Sequence, residues 1–169
     1  QPSDTVTLGG GISGTGALAQ IGPGTTILTA TNTYTGTTTI SAGTLQVGGG
    51  GTTGTLGTGA VVNNAALAFN RSNALTVANA ISGTGSVTQA GAGTTTLTGA
   101  NSYSGATTIS AGTLQVGSGG TTGSLGTAAV VDNAALAFNR SDAVTVANDI
   151  SGTGALVQSG AGTTTLTGA

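Results

Sequence analysis

The sequence predicts an all-β chain wound as a parallel β-helix, a solenoid with a three-sided apolar core and about three rungs per 69-residue repeat. Three observations carry that prediction. The 169 residues include 33 glycines, with only 4% charged and 2% aromatic side chains. Thr, Val and Ile favour pleated strands, and glycine at this density opposes helices while serving tight corners. The stretch TTISAGTLQVG occurs at 38–48 and returns letter for letter at 107–117. Finally, apolar positions recur at steps of about 19–28 residues, a spacing that points to stacked coils.

The repeat is read first. Ile12-Ser-Gly-Thr-Gly returns at Ile81 and Ile150, a step of 69 each time. Units 12–80 and 81–149 are identical at 51 of 69 positions, flanked by partial units 1–11 and 150–169. The whole of 1–169 is therefore one solenoid segment.

Three interleaved apolar series supply the core. One reads Leu28, Leu56, Val77, Leu97, Leu125, Val146, Leu166. A second reads Ile40, Val62, Ile81, Ile109, Val131, Ile150, and a third Leu45, Leu67, Val87, Leu114, Leu136, Leu156. Each is expected to form one inward-facing stack, with repeated positions lying over their own copies. Alternation supports the strands: in TLQV, Leu114 and Val116 point one way and Gln115 the other. Ala-Gly at 42–43 and 111–112 supplies a corner that tolerates positive φ, and GGGG (48–51) and GSGG (117–120) absorb the extra length of long rungs. No rung buries its own apolar face, so stability is expected to come from stacking neighbours.

The run LTGANSYSGATTISAGTLQVG (97–117), with its partner LTATNTYTGTTTISAGTLQVG (28–48), resembles the passenger-associated β-strand repeats of bacterial autotransporters. The ISGTG…Q…GAGTTTLTG stretch at 81–99 and 150–168 is similar to the segment that precedes this motif. The resemblance implies a right-handed parallel β-helix exported across the outer membrane and displayed or released outside the cell. It also implies a role in adhesion, aggregation or biofilm.

Charge narrows the function classes. Four Asp and two Arg give a net charge of −2, without any Lys, so a phosphate-backbone (nucleic-acid) partner is not expected. No Cys is present, and no run of about 18 apolar residues would make this segment span a membrane. Catalysis on such scaffolds needs clustered carboxylates near a base. The one acidic grouping, Asp132, Asp142 and Asp149, reads as ordinary solvated surface, and without His or Cys the common triads are excluded. No enzyme activity, metal or cofactor is expected.

Four sets of residues remain as contact or modification candidates. Tyr34 and Tyr103 sit in the longest corner, where an exposed ring would contact sugar or a surface; the plainer reading has each ring stiffen its own loop. Asn70 and Asn139 begin N-x-Ser sequons, read either as glycan acceptors or as turns after ALAF. Thr76, Thr96 and Thr145, with Thr55, Ser124 and Thr165, each precede a member of the first series and are expected to form an outward column. Such a column is the signature of an ice-binding face, but its second file is broken by Gly57, Ala78, Gly126 and Ala147. The expected function is an extracellular shaft or self-assembling fibre of a bacterial surface or biofilm protein, stacking end to end with copies of itself. An adhesin module with a cell-surface or glycan ligand, and ice binding, are the alternatives.

Overall fold

The computed structural model describes residues 4–169; residues 1–3 of the leading partial unit lie outside the described residues. Among the described residues there are 19 strands and no helix, and every strand pairing is parallel. The chain is a β-solenoid whose strands fall on three walls.

The first wall is an eight-stranded sheet stacked in the order Thr5–Leu8, Thr25–Leu28, Thr44–Val47, Ala66–Phe69, Ser86–Gln89, Thr107–Ile109, Val130–Asp132, Ile150–Ser151. A second carries Leu75–Val77, Thr94–Leu97, Thr113–Val116, Ala135–Phe138 and Ala155–Gln158. The third begins with Leu18–Gln20, Thr38–Ile40, Val61–Asn63 and Ile81–Ser82. It continues through the hydrogen-bonded segments around Ser102 and Ser124 to Val144–Val146 and Thr164–Leu166. At roughly 4.8 Å between strands, the first wall makes a rod about 34 Å long.

Coil length decides how the repeat sits on this frame. The first-wall ladder climbs one coil at a time, from Thr5 to Thr25, then Thr44, then Ala66, and on in similar steps to Ile150. Three such steps, Thr5 to Ala66, fall short of one 69-residue unit, which therefore makes three coils and about a third of a fourth. Equivalent strands move round by one wall per unit: Leu18–Gln20 lies on the third wall, Ser86–Gln89 on the first, Ala155–Gln158 on the second.

The stacks therefore differ from the expected columns of copies. In the first series, Val77 lies under Leu97 and Val146 under Leu166, but the two pairs stand on the second and third walls. Leu28 lies under Val47 instead of Leu56, and Leu125 falls between strands. The third series is two separate runs, Leu45–Leu67–Val87 on the first wall and Leu114–Leu136–Leu156 on the second. In the second series the inward valines are Val61 and Val130, under Ile81 and Ile150, so Val62 and Val131 point outward and are half-buried. A Val-Val doublet carries no alternation of its own; Asn63 sets the phase by turning its amide inward, where it donates to Ser86 O at 2.8 Å.

Burial follows the stacks. Leu28, Ile40, Leu45, Leu56, Leu67, Val77, Ile81, Leu97, Ile109, Leu114, Leu125, Leu136 and Val146 are buried in one continuous core, while Ile150 is half-buried. Leu156 and Leu166 are about half exposed because they belong to the last described coil. At the Ala-Gly corners, Gly43 and Gly112 have φ of 65° and 61°, as the corner requires.

The register is open to a direct check by urea unfolding. Leu45→Ala and Leu114→Ala, each fully buried, are expected to lower stability by about 2–5 kcal/mol. Val62→Ala and Val131→Ala, on the outer face, are expected to lower it by less than about 1 kcal/mol.

Candidate functional site

In a chain with so few polar side chains of any length, where those few point is informative. Most point inward or clamp a loop, and they recur in each unit. Asn32 ties three coils together: its Oδ1 accepts from Ile12 N–H at 2.8 Å, and its Nδ2 donates to Thr55 O at 2.7 Å. Its own N–H donates to Thr55 Oγ1 at 2.8 Å. Asn101 repeats the arrangement between Ile81 and Ser124. Asn79 and Asn148 each donate to two carbonyls of the coil below, Gly57 and Gly59 or Gly126 and Ala128. Gln20, Gln89 and Gln158 close the glycine corners that follow them through Nε2.

The tyrosines do not offer rings to a ligand. Tyr34 and Tyr103 are 1% and 0% exposed, and their hydroxyls bond Thr38 and Thr107 at 2.7 and 2.8 Å. Each ring lies against a glycine of the next coil, Gly57 or Gly126, where a Cβ would overlap the ring. Burial pushes the Tyr103 phenol above its ordinary pKa, opposed by its hydrogen bonds to Thr107 and Gly126. The corner is long because it folds a large aromatic side chain into the core.

The two arginines are loop clamps, a role for which their sequence position carried no signal beyond the glycine-rich run one coil before each. Arg71 donates to Gly54 O and Thr52 O at 2.9 and 2.6 Å and to Asn73 Oδ1 at 3.0 Å. Arg140 holds Gly123 O and Thr121 O in the same way and binds Asp142 with two nitrogens, at 2.8 and 2.7 Å. Partial burial lowers the Arg71 pKa, whereas the hydrogen bond with Asp142 raises that of Arg140 and lowers that of Asp142.

The other sequence candidates are dispersed. Asp132 is buried and accepts from Ala134 N–H, Asp142 pairs with Arg140, and Asp149 accepts from Ala169 N–H. Among the described residues, no group of three His, Cys, Asp or Glu side chains comes together to hold a metal. The Thr column is divided: Thr76 pairs with Thr96 on the second wall and Thr145 with Thr165 on the third, while Thr55 and Ser124 are bound to Asn32 and Asn101. Thr76 and Thr145 are exposed but Thr96 is 9% exposed, so this series presents no continuous threonine face. Asn70 and Asn139 are half-exposed in turns fastened by their backbones, each N–H donating to a valine carbonyl, Val47 or Val116. One cleft recurs in both units, about 310 Å³ between Leu56 and Val77 and about 240 Å³ between Leu125 and Val146.

Parallel coils, a core running their whole length and internal polar struts define a β-solenoid repeat protein. The family model described as the passenger-associated-transport-repeat matches residues 18–47, 87–116 and 156–169. These three segments match that repeat, in agreement with the resemblance of the motifs to autotransporter passenger repeats. Within the matched segments, the Asn and Tyr of the N-x-Y-x-G motif are the buried struts Asn32, Asn101, Tyr34 and Tyr103. No curated protein and no solved structure matches the chain.

Removing one strut at a time should rank them. Tyr103→Phe is expected to cost about 1–2 kcal/mol by leaving Thr107 Oγ1 unpaired, and Gly126→Ala more, both read by thermal unfolding. Asp132→Asn is expected to stabilise by roughly 1 kcal/mol, because an amide there can donate to Ala155 O as Asn63 does to Ser86. The half-buried Arg140–Asp142 pair predicts a pH effect of definite sign. A carboxyl whose folded pKa is lowered adds stability above its unfolded pKa and loses it as pH falls through the folded one. The urea midpoint is therefore expected to drop slightly more between about pH 4 and about pH 2 in the parent than in Asp142→Asn.

Proposed function

We propose that the chain is a stiff extracellular shaft, part of a bacterial surface or biofilm protein, and that its work is mechanical and not catalytic. The observation that carries this reading is the use of polar side chains. Asn32, Asn101, Asn79 and Asn148 bond backbone groups one coil away, and Arg71 and Arg140 hold glycine loops, so these groups are spent on joining coils. Continuous parallel ladders resist separation of coils along the rod, since neighbouring coils share several hydrogen bonds on each wall. The passenger repeat supports a secreted or cell-surface setting.

In this reading rods associate end to end with copies of themselves. Negative-stain microscopy of the purified chain at rising concentration is expected to show filaments of uniform width; dispersed short particles at the highest concentration would contradict the fibre role. Limited proteolysis supplies a second measurement. Arg71 and Arg140 are the two tryptic sites, and both guanidiniums are engaged by loop carbonyls. Trypsin is expected to cut the folded chain at least about a hundredfold more slowly than the urea-unfolded chain, because cleavage must await local opening.

A further inference from the structure

The backbone ladder lapses at one place in each unit. Leu75–Val77 is the lowest strand of its sheet and pairs only with Thr94–Leu97 above it, and Val144–Val146 pairs only with Thr164–Leu166. The segments beneath them, 52–59 and 121–128, are not strands. At the two ends of the first lapse Ser72 N–H donates to Gly51 O and Val61 N–H to Ala80 O, both at 2.9 Å. Among the described residues no backbone hydrogen bond joins the coils between those two points, and the interval from Ser141–Gly120 to Val130–Asp149 is bare in the same way. On the other two walls the same coils stay paired, Thr44–Val47 under Ala66–Phe69 and Val61–Asn63 under Ile81–Ser82. The second unit likewise keeps Thr113–Val116 under Ala135–Phe138 and Val130–Asp132 under Ile150–Ser151.

The cause lies in the N-x-Y-x-G corner one coil lower. Thr55 turns its carbonyl and hydroxyl to Asn32 and its N–H to Ala30 O, and Thr58 N–H goes to Tyr34 O. What 52–59 offers upward is taken by side chains: Arg71 reaches Thr52 O and Gly54 O, and Asn79 reaches Gly57 O and Gly59 O. A side chain set between two coils holds them farther apart than a shared ladder bond does, which leaves the cleft of about 310 Å³ between Leu56 and Val77. Arg140 and Asn148 frame its counterpart of about 240 Å³ between Leu125 and Val146. Two side chains that can exchange their bonds with water close a wall less firmly than a ladder, and the cleft lining lacks packing partners on one side. We propose that these junctions are yielding joints. The wall opens and closes between 52–59 and 74–79, and between 121–128 and 143–148, while the two paired walls act as the hinge. The first joint lies on the second wall and the other on the third, so successive joints give way in different directions. The rod thus bends at fixed points without a preferred plane. The joint is a property of a single chain and does not require that rods associate.

The chain contains no cysteine, so one introduced thiol reports on one site, and cysteine in place of valine changes little volume. The test is the rate at which excess thiol reagent labels Val77→Cys and Val146→Cys, 3% and 6% exposed beside the clefts. The reference positions are Val87→Cys and Val130→Cys, both 0% exposed beneath paired strands. The cleft thiols are expected to react at least about a hundredfold faster, because only the joint must open to reach them. Asn79→Ala or Arg71→Met is expected to speed Val77→Cys at least about tenfold further and to leave Val87→Cys unchanged, and Asn148→Ala to do the same for Val146→Cys. Equal rates at cleft and reference positions overturn the proposal. A Val77→Cys rate unmoved by both clamp substitutions also overturns it, since a fixed cleft would admit the reagent without opening. An equal rise at Val87→Cys does so too, because the clamp would then act on the whole fold. Labelling of dilute, dispersed chains keeps this outcome separate from the filament experiment.

Discussion

The structure depends on a mismatch between two lengths. The backbone ladder closes once per coil, as from Thr5 to Thr25 or Thr25 to Thr44, and the sequence repeats every 69. Because the second is not a whole multiple of the first, each unit is carried round by one wall as it climbs. Every residue still meets the same neighbours, since the rotation and the rise act on the whole unit together. The identity of 51 in 69 positions between units is thus a screw symmetry written in side chains. A change in one unit is felt by the coil above and the coil below, neither of which holds its copy.

That symmetry explains how an almost uncharged chain specifies one register. Apolar contacts alone discriminate poorly between neighbouring registers when the residues are mostly Thr, Val, Leu and Ala. The discrimination comes from a small polar set. Asn32 and Asn101 reach both adjacent coils, Asn63 selects which valine of a doublet turns inward, and the glutamines close their own corners. A slip of one residue would leave these groups buried without partners, which is far more costly than a shifted Leu. The exception is Gln89 Oε1, buried and unpartnered, where Thr26 supplies a hydroxyl to Gln20 in the unit before.

The same economy bears on the surface. With many polar side chains drawn into struts and clamps, the outer faces are rich in Thr, Ser, Ala and Gly, with a few valines such as Val62 and Val131 among them. The threonines of the first apolar series form no single file, because the 69-residue unit delivers them to successive walls: Thr76 and Thr96 to the second, Thr145 and Thr165 to the third. On the first wall Thr5, Thr25 and Thr44 do stack, but the file ends at Ala66. Any feature of one unit is offered in a new direction by the next. A solenoid built this way has no preferred side.

What the sequence determined by itself was the architecture: the strand composition, the repeat boundaries, the glycine corners at 43 and 112, and most of the buried positions follow from spacing and alternation. It also carried the family motif, N-x-Y-x-G and AGTLQVG, whose Asn32, Tyr34, Leu45 and Val47 are all buried. Tertiary structure alone decided which residues share a wall. The uneven steps within each apolar series add up to 69 whether copies lie over copies or turn by a wall, so periodicity cannot tell Leu28 over Leu56 from Leu28 under Val47. The same holds for Val61 against Val62, for the burial of Tyr34 and Tyr103, and for Arg71 and Arg140 reaching back to the coil before. Each of these is a contact between coils, set by where the ladder closes, and a linear pattern records only what lies within one.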